Sequence, residues 1–184
     1  MRVISGKAKG IKLKALKGMD TRPTSDKVKG SIFNILAPYV EDSKVLDLFS
    51  GTGNLGIEAV SRGASYAHLI EKNRKCHDII MENVNKTKLK DRIKLIITDA
   101  LSALKSFSRR DEKFDLIFMD PPYLKGFILP CLEAINELDL LNIDGIIVVE
   151  HDIKDTIPDT VGNIVRFKEK KYGTTMVSFY SKED

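Results

Sequence analysis

The alternation that begins at residue 44 constrains this chain more than any other feature. Short apolar runs alternate with longer amphipathic segments from there to residue 150. The runs are VLDLF at 45–49, AHLIE at 67–71, IKLIIT at 93–98, FDLIFM at 114–119 and GIIVVE at 145–150. Each is short and rich in Val, Ile, Leu and Phe, as strands buried on both faces are. Segments with helical spacing separate them, at 54–62, 74–87, 100–107 and 128–141. Strand alternating with helix predicts a parallel sheet covered on both faces. Two further candidate strands, near 164–170 and 175–180, join through Tyr172–Gly173 and are close enough to pair antiparallel at the sheet edge. The expected fold is α/β, a mostly parallel seven-stranded sheet with helices on both faces. At 184 residues the chain suffices for one such unit and not for two large ones.

Residues 1–40 read differently. They carry nine Lys or Arg against two acids, a net +7, while the whole chain is only +4. The remaining 144 residues are therefore slightly acidic. A basic arm on an acidic body suits a polyanion, and nucleic acid is the natural candidate. A loose alternation over 2–15 predicts a short hairpin turning near Gly6–Gly10. Thr24 or Ser25 then caps a helix carrying Val28, Ile32, Ile35 and Leu36 on one face, with Asp26 favoured in its first turn. Gly30 in mid-helix suggests a close contact, and Pro38 ends the pattern. The chain divides into a basic hairpin-and-helix extension at 1–40 and the α/β unit at 41–184. No apolar stretch is long enough to span a membrane, and MRVISGKAKG lacks a signal peptide's apolar run. Cys76 and Cys131 stand apart with no CxxC or metal-ligand set, so a reduced, cytoplasmic protein without a structural metal is expected.

Gly51, Gly53 and Gly56 make a GxGxxG directly after the first strand and at the start of a helix. Glu71 follows 20 residues after Gly51, at the end of the second strand, where an acid can accept both hydroxyls of a ribose. The spacing fits a nicotinamide dinucleotide and S-adenosylmethionine equally. Asp47 favours the second, because a pyrophosphate is poorly served by a carboxylate four residues before its loop, whereas an ammonium and a sulfonium are well served. The absence of an obvious second half for a nicotinamide points the same way. Asp99, ending the third strand, is placed to accept from an adenine amino group, or serves only as the N-cap of the helix at Ala100.

The fourth strand ends in Asp120-Pro121-Pro122-Tyr123, at the carboxyl edge where ligands bind in such sheets. An exocyclic amine on a planar base is a weak nucleophile because its lone pair is spread into the ring. Acceptors for its two hydrogens return that lone pair to nitrogen. Asp120 supplies a carboxylate, and the Pro121 carbonyl, held extended by Pro122, a second acceptor. Tyr123 offers a flat face to a base drawn from its stack. Orientation and preorganised acceptors suffice for methyl transfer.

DLFSGTGNLGIEAVSRGA, IEKN and DPPY resemble the class I S-adenosylmethionine-dependent methyltransferases that act on exocyclic amines. RVISGKAKGIKL, TRPTSDKVKGSIFNIL, VVEH and EKKYGTTMVSFY extend the resemblance, over essentially the whole chain, to the bacterial 16S rRNA guanine-N2 methyltransferases. The resemblance implies S-adenosylmethionine as cofactor, N2 methylation of a guanosine in small-subunit rRNA, a 30S particle or late assembly intermediate as substrate, and a monomer. It implies that Gly51 and Gly53 hold the methionine part, Glu71 the ribose, Asp99 the adenine, and Asp120 to Tyr123 the target base. Arg22, Pro23 and Thr24 would lie against the active site, and Lys7, Lys9 and Lys12 against RNA backbone. Relatives often carry arginine and an acid where this chain has Lys29-Gly30, so Lys29 is assigned no specific contact. His151 is read as a structural loop histidine in preference to a general base. DPPY also occurs in adenine-N6 methyltransferases, which makes adenine methylation of RNA or DNA the alternative reading.

Overall fold

In the computed structural model, residues 1–15 and 25–183 are described. Among them are six α-helices and eight strands, alternating from Lys44 to Asp152. They are α1 (Asp26–Ile35), α2 (Ala37–Val40), β1 (Lys44–Asp47), α3 (Asn54–Ser61), β2 (Tyr66–Glu71), α4 (His77–Thr87), β3 (Ile93–Ile97), α5 (Ala100–Ser108), β4 (Phe114–Met119), α6 (Ile128–Glu137), β5 (Leu141–Asp152), β6 (Thr160–Val161), β7 (Ile164–Tyr172) and β8 (Thr175–Lys182). All eight strands form one sheet in the order β3-β2-β1-β4-β5-β8-β7-β6. The first five run parallel, and β8, β7 and β6 complete the sheet antiparallel. The expected seven strands are present, and the two-residue β6 adds an eighth at the edge.

Strand alternation builds two cores. Val45, Leu116, Phe118, Ile146 and Val148 face one side, where they pack with Ile32, Ile57, Ile80 and Val84 of α1, α3 and α4. Leu46, Ile117, Met119, Ile147 and Val149 face the other, against Leu104, Phe107, Leu132 and Ile135 of α5 and α6. This two-sided burial is what near-continuous apolar runs dictate.

Several boundaries depart from expectation for local reasons. The helix before β5 stops at Glu137, because Asp139 takes a left-handed backbone with φ of +50°. Leu141 then opens β5, whose register against β4 slips between Phe114↔Leu141 and Leu116↔Ile146. A bulge over 142–145 thus hides the start of a 12-residue strand. Pro38 does not end the helical region; it sits in the first turn of α2, where its missing N–H costs nothing. Gly30 makes no close contact. Ser25 caps α1, its hydroxyl accepting from the Val28 amide.

The N-terminal turn pairs as a single bridge, Arg2↔Lys12, and not as a regular hairpin. Its backbone bonds outward instead. The amides of Ile4 and Ser5 donate to the Glu58 carboxylate, the Ala8 amide to Ser61 Oγ, and the Lys7 amide to the Ser61 carbonyl. The turn thus lies along α3. A Cβ on Gly6, whose φ is +81°, would stand 1.8 Å from that carbonyl, so this crossing requires glycine. Lys29 seals the contact from α1. Its side chain is fully buried, donating to the Arg2 carbonyl at 2.6 Å and Asn54 Oδ1 at 2.7 Å and pairing with Glu58 at 3.1 Å. Burial lowers the Lys29 pKa, and Glu58 opposes that shift.

Candidate active site

The carboxyl ends of β1, β2, β3 and β4 open on one cavity of about 430 Å³, within the range of small-molecule sites. Asp47, Gly51, Glu71, Asp99, Asp120 and Pro122 all line it. Residues from four separate strand ends are thereby brought to one edge. Gly53 does not line it; it is the left-handed N-cap of α3 with φ of +81°, and Gly51 is also left-handed with φ of +56°. These two glycines turn the chain from β1 into α3. Gly56 serves a third purpose, since a Cβ there would stand 2.2 Å from Leu69 Cδ2, and glycine lets α3 pack close on β2.

Asp47 is buried, 1% exposed, at the end of β1. Its Oδ2 accepts from the Gly56 amide at 3.1 Å. Burial pushes its pKa up to about 7, and the nearby Glu71 charge adds to the rise. Amides of Gly56 and Phe49 oppose it. Such a carboxyl sits at the threshold of ionisation, and a cation beside it would tip the balance. Glu71 reaches back across the turn. Its Oε2 accepts from the Gly51 amide at 2.9 Å and its Oε1 from the Asn73 amide at 2.7 Å. It therefore shapes the glycine loop and faces the cavity at once. Asp99 caps α5 by accepting from the Ser102 amide at 2.9 Å, and bonds to Ser102 hold its pKa below the usual carboxylate range. The cap and the cavity position coexist. Leu48, Phe49, Leu101, Phe127 and Pro130 supply apolar wall.

Asn83 on α4 is a positioning residue that sequence reading missed. It is fully buried and binds the Lys14 amide at 2.7 Å, the Lys14 carbonyl at 3.0 Å and the Thr52 carbonyl at 3.0 Å. It ties Lys14 of the basic arm to the glycine loop across 69 and 31 positions. Nothing in a polar residue on a helix announces such a partner in advance.

The Asp120–Tyr123 loop divides this cavity from a second of about 410 Å³. Pro121 is buried, and Asp120 and Pro122 line the first cavity. Tyr123 lines the second, with Ser25, Val28, Glu150, Tyr172 and Thr175. The Tyr123 hydroxyl donates to Glu150 Oε1 at 2.9 Å. Burial raises the Tyr123 pKa far above its ordinary value, and the Glu150 charge adds to the rise, so it stays a neutral donor. His151 is not on a loop. It lies buried within β5, its Nδ1 donating to the Asp152 carbonyl and its Nε2 hydrogen-bonded with Ser178 Oγ, both at 3.0 Å. Burial lowers its pKa. With both nitrogens engaged it is structural. Lys7, Lys9 and Lys12 are exposed on the N-terminal turn. Arg22 and Thr24 lie outside the described residues.

Comparison with known proteins covers the same ground. A sequence profile of the family described as Conserved hypothetical protein 95 matches residues 1–181. The Bacillus subtilis protein YlbH, provisionally named an rRNA methyltransferase, is 42% identical over 182 residues and spans 99% of both chains. Ribosomal RNA small subunit methyltransferase D of Escherichia coli is 30% identical over 183 residues, covering 100% of this chain and 90% of that one. The solved structure of yhhF from Escherichia coli matches with a TM-score of 0.85 at 31% identity, over 100% of this chain and 98% of the other. The likeness thus includes the basic arm, the glycine loop and the last strand pair. On that extent of agreement, the chain belongs to the family of ribosomal RNA small subunit methyltransferase D, on the class I methyltransferase fold.

Proposed function

We propose that this protein transfers a methyl group from S-adenosylmethionine to the exocyclic N2 amine of a guanosine in 16S rRNA, within the 30S subunit or a late assembly intermediate. The observation that carries the reading is the row of acidic side chains along one cavity, ending at the Asp120–Tyr123 loop. The cofactor offers hydrogen-bond donors at its adenine amino group, its ribose hydroxyls and its ammonium. The cavity offers a carboxylate on each of three successive strand ends, at Asp99, Glu71 and Asp47, so the donor set and the acceptor set correspond. Bound there, the cofactor supplies an electrophilic methyl group on a sulfonium.

The chain's own residues do the rest. Asp99 accepts from the adenine amine, Glu71 from the ribose, and Asp47 balances the ammonium, while Gly51 lets the backbone pass close and Gly53 turns it into α3. Asp120 and the Pro121 carbonyl accept the two hydrogens of the target amine and return its lone pair to nitrogen. After transfer the nitrogen's surplus proton passes to Asp120 and on to water. Tyr123 supports the base, and Pro122 keeps the loop stiff. Lys7, Lys9 and Lys12, with Arg22 and Thr24, grip the RNA backbone. The protein acts as a cytoplasmic monomer. The relatives' names support an rRNA substrate. No helix among the described residues is long and apolar enough to cross a membrane.

The test is product identity. Unmodified 30S particles are incubated with labelled S-adenosylmethionine, the RNA is digested, and the labelled nucleoside is identified by mass spectrometry. N2-methylguanosine is expected. N6-methyladenosine would overturn the guanine assignment and keep the fold and cavity.

A further inference from the structure

The register of β4 against β5 runs through Phe118↔Val148 to Met119↔Val149. The next residues are Asp120, where the chain leaves β4, and Glu150, still within β5. Both carboxylates lie close enough to Tyr123 for their charges to act on its hydroxyl. Asp120 lines the first cavity, and Glu150, only 4% exposed, lines the second. Tyr123 links them, facing the second cavity with its hydroxyl on Glu150 Oε1. Exposed Lys27 and Lys171 stand at the rim of that cavity, where a phosphate backbone could pass.

Guanine presents two adjacent donors on its Watson–Crick edge, N1–H and the N2 amine. Adenine presents an amine beside a bare N1, which is an acceptor. We propose that Glu150 reads the acceptor base, taking the N1–H of guanine while Asp120 takes a hydrogen of N2. This rests on the guanine-N2 reading above and names its specificity residue. A carboxylate has two oxygens and about four acceptor positions, so receiving the Tyr123 hydroxyl is compatible with receiving N1–H. Adenine placed with its amine at Asp120 would turn the N1 lone pair onto the Glu150 carboxylate. A site built to accept a donor rejects an analogue that lacks one.

Glu150→Gln separates the two roles open to this side chain. The amide oxygen still accepts from Tyr123, so a role limited to holding Tyr123 predicts near-normal turnover. Base reading predicts that kcat/KM on unmodified 30S particles falls about 10- to 100-fold, with S-adenosylhomocysteine affinity unchanged by calorimetry. Wild-type turnover in E150Q would overturn the proposal. If E150Q fails to fold, Glu150→Asp replaces it: the carboxylate is drawn back by one methylene, a comparable drop is expected, and full activity would overturn the proposal. The wild-type product, identified in the same experiment, keeps the parent reading separate. N2-methylguanosine from wild type with an unimpaired variant refutes only the role of Glu150. N6-methyladenosine from wild type refutes the guanine reading itself.

Discussion

Replacing Asp47 by asparagine should stabilise the free protein in neutral and alkaline solution while damaging its cofactor site. Burial lifts the Asp47 pKa from 3.8 to about 7. Ionising it in the folded state therefore costs roughly 1.4 kcal/mol for each of about three pH units, about 4 kcal/mol in all. The amide keeps one acceptor oxygen for the Gly56 amide and loses the bond from Phe49, a deficit of about 1 kcal/mol. The net gain for D47N is then about 3 kcal/mol. Its sign with pH follows from the raised pKa. Between about pH 4 and 7 the folded wild type binds more protons than the unfolded chain, so its stability falls as pH rises through that window. The variant has no such loss, and its advantage should grow from about pH 4 to 7 and level off above. Urea unfolding of both proteins at pH 4 to 9 measures this difference directly. A difference that does not change with pH, or a variant less stable at pH 8, would refute the argument. The same group should reveal itself in binding. At pH 6, S-adenosylhomocysteine, which carries the ammonium, should displace close to one proton from the wild type and none from D47N. Calorimetry in buffers of different ionisation enthalpy reads that number.

Three other outcomes follow from the geometry. D120A should lower methyl transfer at least about 100-fold and leave S-adenosylhomocysteine affinity within about twofold; near-normal turnover would remove Asp120 from the chemistry. Reversing Lys7, Lys9 and Lys12 to Glu should weaken binding to 30S particles and reduce the slope of log affinity against log salt by about one for each phosphate no longer neutralised, and an unchanged slope would take the arm off the RNA. K29A should cost about 3 kcal/mol in urea unfolding, because it leaves the Glu58 carboxylate buried without its lysine; a loss below about 1 kcal/mol would mean that the arm's amides and Arg62, which pairs with Glu58 at 2.7 Å, carry Glu58 alone.

What can be read in the sequence is local. The β4 boundaries, the glycine loop and the cap at Asp99 come from short-range spacing, and the structure places them as that spacing predicts. The departures have another origin. The start of β5 is hidden because Leu138, Leu140 and Leu141 continue a helical rhythm, and only the left-handed Asp139 breaks it. Lys29 is assigned no specific contact from sequence, since nothing nearby reveals Glu58 or the Arg2 carbonyl. The partners of Asn83 lie 69 and 31 positions away, and Tyr123 and Glu150 lie 27 apart. Periodicity carries no information at that range. The same holds for the second cavity, whose walls come from α1, the loop after β4, β5 and the turn between β7 and β8.

The position of β8 sets an order on how this protein can be made. It is synthesised after every other strand of the sheet, yet it lies between β5 and β7 and not at an edge. All the residues around the first cavity precede position 132, whereas the second cavity needs residues 171–175. During translation, then, the half suited to a small molecule can close while the half suited to a base still has a gap. β5 waits as an unpaired edge until β8 arrives, a template open to wrong partners. Formation of the second cavity is thereby held back until β8 is made, and a nascent chain should gain affinity for S-adenosylhomocysteine before that cavity exists.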